Sequence, residues 1–403
     1  MSPTARGSLG SLGDRPLAFM MALSFVNYLG YAGWSALLYN FTIERAQFSW
    51  ADAGFTQSVR EIPGFLAFTA ILWLAWMREQ TLAYAALLIL GLGVALTGQF
   101  PTLAGVLATT FVMSVGFHYF ETVNSSLQLQ LLPKAEAPRL IGRIAGAGAA
   151  ASFVAYGGLA LAWWAGWRAY EQLYLAIGLA CAALALAAMA FFRRFEGPVP
   201  QRKHILLRRR YWLYYMLTFM TGARRQLFFA FGGFLLVKKF GYSVADMAVL
   251  MLATTALNAV LAPRLGALVV RAGERRTIML ENTVLIAVFA GYATTSSWLV
   301  AGLLFVVDGI FFTLTLAQRT YFQKIADPAD MAATMSAAFT INHIAAVIVP
   351  VAFGALGMID PAIIFWLGAG VACVSLGLSF LVPRHPAPGN ETALAPARPQ
   401  PAE

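Results

Sequence analysis

Thr218-Phe219-Met220-Thr221-Gly222-Ala223-Arg224-Arg225-Gln226 interrupts an apolar stretch that runs from about residue 211 to 237. A stretch of that length crosses a bilayer, whose hydrocarbon core takes roughly 20 helical residues. Arg224 and Arg225 fall near its middle. An arginine at the bilayer centre costs about 2.5–3.5 kcal/mol on insertion scales, so two in succession must face water or a counter-charge. Two roles fit. Either at least one arginine binds an anionic group of a solute, or the charges are neutralised by buried acids, for which Glu61, Glu121 and Asp308 are the candidates. Adjacent helical residues project about 100° apart, so both arginines cannot point squarely at one ligand.

Other polar residues sit inside apolar segments. Counting segments from the N-terminus, the first carries Asn27, the second Arg60 and Glu61, and the fourth His118, Glu121 and Asn124. The seventh carries Arg224, Arg225 and Gln226, the tenth Asp308, Gln318 and Arg319, and the eleventh Asn342 and His343. The third and twelfth have no interior ionisable group, and the sixth and ninth have only Glu171 and Glu281 near their ends. Asn27, Arg60, His118, Arg224, Arg225, Gln226, Asp308, Asn342 and His343 are therefore the expected solute contacts. Glu61 and Glu121 are the expected proton carriers, because burial favours the neutral acid while a neighbouring guanidinium favours the ionised one. Arg60 is not expected to pair with Glu61, since neighbours on a helix diverge. His118 and His343 titrate near neutrality, although a helical histidine commonly serves as a packed hydrogen-bonding group.

Elements that position such residues are set by composition. The 403 residues are 60% hydrophobic and 11% charged, against about 25% charged in a soluble domain. This is an all-α polytopic membrane protein. Apolar segments fall at about 16–38, 52–77, 81–98, 103–131, 138–166, 171–192, 211–237, 245–270, 277–295, 297–323, 331–357 and 361–382. They are too long and too little alternating for a barrel. The first is long enough to be a retained span rather than a cleaved signal. Twelve spans divide into a 1–15 tail, a six-helix bundle over 16–192, a linker over 193–210, a second six-helix bundle over 211–382 and a disordered tail over 383–403. The linker holds Pro198 and Pro200 and ends in Arg208-Arg209-Arg210, expected as an anchor at lipid headgroups.

Charge placement orients the chain. With the N-terminus cytoplasmic, the outer segments hold Arg45, Arg168, Lys238 and Lys239, and the spans hold Arg60, Arg224, Arg225 and Arg319. The other 20 of the 28 Lys and Arg lie inside, which predicts a multi-pass protein of the cell inner (plasma) membrane with both termini cytoplasmic. The net charge of +10 then reflects topology and not a nucleic-acid partner. Cys181 and Cys373 sit in apolar runs and read as packing residues. No metal site or cofactor is expected.

The halves look related. Ser49-Trp50-Ala51-Asp52 precedes the second span and Ser243-Val244-Ala245-Asp246 the eighth, an offset that also places Phe25 on Phe219. Parallel six-helix repeats are a known transporter plan. Between the eighth and ninth spans, Gly266-Ala267-Leu268-Val269-Val270-Arg271-Ala272-Gly273-Glu274-Arg275-Arg276 is similar to the G-x-L-x-D-R-x-G-x-R-R loop of the major facilitator superfamily. Helix number and polar sorting also resemble that family, over about residues 16–382. The resemblance implies that the first, fourth, seventh and tenth helices line a cavity. It implies that the second, fifth, eighth and eleventh join the halves and that the remaining four face lipid. It assigns Gly266, Arg271, Gly273, Arg275 and Arg276 to a gating loop, with Gly266 for close helix approach and Gly273 for the turn. Val270 stands where the family carries aspartate, and the first-half loop around Arg78 has lost the pattern. The glycine-rich fifth span lacks the proline of the family's antiporter signature, so antiport is not inferred.

The resulting expectation is a monomeric secondary transporter of a small polar solute, more anionic than cationic, working by alternating access with protons as coupling ion. Its partners are the solute, protons and the lipid bilayer, with no nucleic acid. Alternatives are multidrug-type efflux of amphipathic compounds and Cu(I) transport through Met216/Met220, Met247/Met251 and Met331/Met335, whose thioethers suit that ion. Receptor and membrane-embedded enzyme readings rank lower, since neither a signalling domain nor a catalytic motif is visible.

Overall fold

The computed structural model describes residues 15–133, 136–195, 207–327 and 330–394. Among them the chain is helical, with one isolated bridge, Ala387–Asn390, and no strand. Nine of the twelve spans are single helices: Pro16–Glu44, Glu79–Thr97, Leu103–Leu131, Ala137–Trp164, Tyr170–Phe191, Val244–Ala272, Glu274–Thr294, Met331–Gly357 and Pro361–Ser379. The second, seventh and tenth spans are broken. The second runs Trp50–Phe65, passes through a 3₁₀ turn at Leu66–Thr69 and resumes at Ala70–Leu74. Pro63 lies just before that break and lacks the amide donor a continuous helix requires. The seventh runs Trp212–Gln226, widens into a π turn at Leu227–Gly232 and resumes at Gly233–Phe240. The tenth has a 3₁₀ turn at Phe312–Thr315. Ten helices are long and apolar enough to cross a membrane among the described residues. The second and seventh spans fall outside that set; both carry buried polar groups at mid-span.

Both halves enter their second helix identically. The Ser49 hydroxyl accepts from the Asp52 amide while the Asp52 carboxylate accepts from the Ser49 amide, at 3.2 and 2.9 Å. Ser243 and Asp246 repeat the same box at the same distances. Such boxes satisfy backbone donors that a helix start leaves unpaired.

The halves meet through the second span against the eleventh and the fifth against the eighth, while the third packs on the fourth and sixth. Glycine permits the closest of these approaches. A Cβ at Gly54 would lie 2.9 Å from the Pro350 carbonyl carbon and 3.2 Å from Gly354 Cα. Pro16 and Ser379 share one face of the molecule, the termini face, since an even number of spans separates them. Toward the far face, Tyr39 donates to the Phe229 carbonyl at 2.8 Å and Asn40 to the Tyr242 carbonyl at 2.7 Å. Lys238 donates to the Phe48 carbonyl, and the Trp50 ring packs edge-on to Phe234. Toward the termini face, Phe68 and Met335 stand 62% and 50% exposed on the second and eleventh spans. Among the described residues the halves are cross-linked at the far face, and the eleventh span packs on Trp50–Phe65 rather than on the rest of the second span, Leu66–Leu74.

Two expectations change at the termini face. Arg208 and Arg210 were expected at headgroups, but they clasp Asp330 at 3.3 and 2.7 Å, and Tyr211 Oη donates to the same carboxylate at 3.3 Å. The C-terminal segment was expected to be disordered from residue 383. Instead Tyr321 Oη donates to the Glu391 carbonyl, and the Ala393 amide donates to the Leu381 carbonyl at 2.7 Å. Backbone groups there find partners on the bundle, which a composition-based reading cannot anticipate. Residues 395–403, 196–206 and 1–14 lie outside the described residues.

Burial alone would raise the Asp330 pKa, but hydrogen bonds from Arg210 and Arg208 outweigh it and hold it below the ordinary carboxylate value. A carboxyl lowered in the folded state stabilises above its unfolded pKa, about 3.9, and that contribution is lost as pH falls through the folded value. Limited trypsin cleavage after Arg208–Arg210 should therefore stay slow near neutrality, accelerate on strong acidification of the pre-incubation, and be fast at both in Asp330→Asn. For the half-to-half contact, Gly54→Ala should cost about 1–3 kcal/mol and lower the unfolding temperature. Gly266→Ala, where nothing lies within 4 Å of an added Cβ, should not.

Candidate functional site

Midway along the axis, one face of the second span presents Gln57, Arg60 and Glu61, spaced i, i+3 and i+4 as a single helical stripe requires. All three are buried. Arg60 Nε donates to Gln57 Oε1 at 3.1 Å, and Gln57 Nε2 donates across the half-to-half interface to Gln226 Oε1 at 2.6 Å. The Arg60 guanidinium also folds back onto Glu61 Oε1. This contradicts the expectation from helical divergence. Cβ vectors of neighbours do diverge, but a guanidinium on a three-carbon stem can curl across that angle when no water competes for it.

The second Glu61 oxygen faces the other half. Arg225 Nη2 lies 3.4 Å from Glu61 Oε2, and His343 Nε2 lies 3.6 Å from it. His343 in turn stands edge-on to His118, ring centres 5.6 Å apart. Gly64 makes room for both rings, since a Cβ there would sit 2.5 Å from His343 Nε2 and 2.7 Å from His118 Nε2. His118 Nδ1 is paired with Ser114 Oγ at 2.9 Å. Thus Arg60, Glu61, His118, Arg225, Gln226 and His343, drawn from four spans, form one cluster. Two guanidinium groups share one carboxylate. Arg225 is the most open member, with a quarter of its side chain exposed, and its Nε has no partner.

Arg224 does not join this cluster. Its side chain turns into the second half and pairs with Glu281 at 2.6 Å, with Asn282 Oδ1 at 3.4 Å. Glu61, Glu121 and Asp308 were the expected partners for the arginines. Glu61 takes Arg225, and Glu281 takes Arg224. Glu281 was passed over because the ninth span was expected to start near residue 277. Its helix begins at Glu274, which carries Glu281 two turns into the bundle. A polar-face count on Glu274, Glu281 and Asn282, at i, i+7 and i+8, was the available signal. Asp308 is buried on the tenth span and is bonded to neither arginine.

The remaining predicted residues separate into smaller groups. Asn27 Nδ2 donates to Glu121 Oε1 at 2.9 Å, linking the first and fourth spans apart from Glu61. Asn342 Nδ2 donates to the Thr218 carbonyl at 3.3 Å and its backbone abuts Gly222, so it fastens the eleventh span to the seventh. In the loop after the eighth span, Gly273 adopts φ 80°, where a side chain would be strained, as the turn requires. Gly266 has open space around it and permits no close approach there, contrary to expectation. Arg275 stacks over Phe380 at 6.0 Å, while Arg271 and Arg276 are exposed. The ion pair at this loop is instead Lys324–Glu274 at 2.6 Å. The three methionine pairs lie on the seventh, eighth and eleventh spans, with Met247 fully buried.

Ligand atoms of Glu61, His118 and His343 lie within 4.8 Å of one another, a spacing a metal ion could close. Both carboxylate oxygens already face guanidinium groups, so an arriving cation would meet two fixed positive charges. A recess of about 580 Å³ at the far face, lined by Arg45, Trp163, Arg168 and Tyr170 among others, lies away from it and holds none of the predicted residues.

The family model of the Major Facilitator Superfamily matches residues 16–350. The chain belongs to the Major Facilitator Superfamily. It is thus a multi-pass membrane protein and a secondary transporter. A mutant form of the nucleoside transporter NupG superposes with a TM-score of 0.75 at 15% identity, covering 91% of this chain and 99% of that one. A bacterial homologue of the human lysosomal transporter Spinster, inward-facing and occupied, gives 0.69 at 14% identity over 91% and 95%. A POT family transporter in complex with a thioalcohol-conjugated peptide gives 0.73 at 14% identity over 90% and 94%. At these identities the likeness is one of fold. No curated protein matches the sequence.

The two arginines should respond differently to loss of charge. Arg224→Gln leaves Glu281 buried and unpaired, a loss of about 3–5 kcal/mol, and should sharply lower the yield of folded protein. Arg225→Gln leaves Glu61 held by Arg60 and should fold, with an unfolding temperature within a few degrees of the parent. Size-exclusion profiles and thermal unfolding in detergent separate the two, and equal behaviour would remove the distinction between them.

Proposed function

We propose that this protein carries a small polar solute bearing an anionic group across the cytoplasmic membrane, by alternating access and with protons as coupling ion. The observation that carries this reading is the unequal charge at the interface of the halves. Arg60 and Arg225 face one carboxylate, and Arg225 reaches it only at 3.4 Å while keeping an unpartnered Nε and partial exposure. An anionic group arriving from the termini face can take Arg225 from Glu61 without stranding a bare guanidinium. Gln226, His118 and His343 are placed to orient its neutral groups, and Asn27 and Glu121 extend the polar surface onto the first and fourth spans.

Coupling follows from the same exchange. A buried carboxylate that loses one of two counter-charges is easier to protonate. Solute binding and proton binding at Glu61 then favour each other, and both release the cross-link between halves that Glu61–Arg225 provides. Glu121, held by Asn27, is the second carboxylate available to the pathway. The arginine and lysine distribution puts the termini face on the cytoplasmic side, which makes this an inward-facing arrangement. Multidrug efflux and Cu(I) transport have less support: the Glu61 cluster sets two guanidinium groups against one carboxylate, and the methionine pairs are spread over three spans.

Counterflow into proteoliposomes, screened over radiolabelled carboxylates and phosphate esters, should find a substrate whose uptake responds to an imposed pH gradient at constant voltage. Glu61→Gln should retain exchange but lose the gradient response by tenfold or more, and Arg225→Gln should raise KM by about 10–100-fold. A parent flux indifferent to the pH gradient would count against proton coupling, and uptake confined to cations would count against the anionic solute.

A further inference from the structure

Arg45, Arg168, Lys238 and Lys239 are the basic residues of the far face. The two lysines are engaged, Lys238 with the Phe48 carbonyl and Lys239 with the Thr295 carbonyl at 2.9 Å. The two arginines converge instead on the recess of about 580 Å³, a size within the roughly 300–1,000 Å³ of small-ligand sites. Arg45 lies over the Tyr170 ring at 5.8 Å and Arg168 over the Trp163 ring at 5.7 Å, and those rings meet with centres 5.6 Å apart. Stacking on an aromatic face holds a guanidinium in place and leaves its N–H edge free. Among the described residues neither guanidinium has an ion pair or a hydrogen bond. Glu44, the carboxylate of the lining, is met by neutral donors: Tyr170 Oη at 2.9 Å and Asn40 Nδ2 at 3.5 Å. Ser243 and Ala245 bring the start of the eighth span into the same wall. The Ser243 hydroxyl is committed to Asp246, so the second half lends the recess a wall and no free donor.

Two guanidinium groups and one carboxylate leave the recess with positive charge in excess. What surrounds it points to the source of the matching anion. Trp164 lines the rim and is 66% exposed, and Trp167 stands exposed close by in the chain. Tryptophan concentrates at the level of lipid headgroups. Earlier on the same helix Val154 and Leu161 are exposed, and between them a Cβ added at Gly157 or Gly158 would meet no atom within 4 Å. The missing side chains leave a shallow apolar furrow that leads away from the recess along the fifth span. We propose that the recess binds the phosphodiester of an anionic phospholipid headgroup, with Arg45 and Arg168 on the phosphate and an acyl chain along the Gly157–Gly158 furrow. The guanidinium fork matches phosphate oxygens two at a time, and no carboxylate holds either arginine back. The site is separate from the Glu61 cluster. An occupant touches both halves at the end where they are cross-linked, so binding steadies that end.

Native mass spectrometry of the purified, delipidated full-length protein reads the site without a known solute. Phosphatidylglycerol carries a net negative headgroup, and phosphatidylcholine a neutral one on the same chains. The parent should retain phosphatidylglycerol about tenfold more tightly than phosphatidylcholine, and its unfolding temperature in detergent should rise with the former. Arg45→Gln/Arg168→Gln should shrink the difference to within about twofold. Arg139→Gln/Arg143→Gln, the same change of charge on exposed residues at the other end of the fifth span, should preserve it. Trp164→Ala spares both charges and should also weaken phosphatidylglycerol; it keeps the test open should the double variant misfold. Equal retention of the two lipids by the parent overturns the proposal, as does parental retention of phosphatidylglycerol in Arg45→Gln/Arg168→Gln. Displacement of the lipid by equimolar sn-glycerol 3-phosphate would make a soluble phosphate ester the occupant. A loss shared equally by Arg139→Gln/Arg143→Gln would leave only a general attraction between charges. Either result defeats the lipid site.

Discussion

Charge in a medium that cannot solvate it governs this molecule. Glu61 at the centre of the axis is tolerated because Arg60 covers one oxygen and Arg225 approaches the other. Removing water from such groups costs several kcal/mol per ion, so each must be met by a partner, and the partners dictate which helices touch. Glu61 and Arg225 tie the second span to the seventh, His343 brings in the eleventh, and Gly64 must remain a glycine so that two histidine rings can close over the carboxylate. Packing elsewhere follows from this centre. Gly54 lets the second and eleventh backbones touch toward the far face, and beyond Gly64 the same two helices part.

The broken spans have the same origin. A regular helix satisfies its own backbone and projects side chains at fixed angles, which serves lipid-facing spans well. The second and seventh have to aim several polar groups at neighbours within one or two turns. The second changes to a 3₁₀ turn after Pro63 and Gly64, and the seventh to a π turn directly after Arg224-Arg225-Gln226. π turns are associated with functional positions because they rotate the following side chains relative to the preceding ones. Here the rotation lies between the arginines and the aromatic segment Phe228–Phe234 that seals the far face against Tyr39 and Trp50.

Span number, the capping boxes and most of the cluster were legible in the sequence, because hydrophobic runs and misplaced charges are one-dimensional signals. Glu61, His118, Arg225, Gln226 and His343 were all visible as polar residues where none should be. Pairing was not legible. Glu281 looked terminal because its helix begins three residues earlier than the apolar run. Arg60 looked unable to reach Glu61 because periodicity describes Cβ directions and not the reach of a long side chain. Gly266 matched a loop pattern whose packing partner is absent at that point of the fold, and residues 383–394 looked polar enough to be disordered although their backbone groups find partners on the bundle.

Adjacency of Arg224 and Arg225 gives these separate facts a common consequence. On one helical turn, one arginine is bound inside its own half and the next is bound to the opposite half. The internal pair, Arg224–Glu281, is short and wholly buried; the external pair, Arg225–Glu61, is longer and partly open. Water screens the partly open pair and not the buried one, so the internal bond is the fixed point and the external one is the bond that yields. A transporter built to rock between two arrangements needs that ordering. The half must stay rigid while its contact with the other half is made and broken, and consecutive arginines divide those two duties between the faces of a single helix.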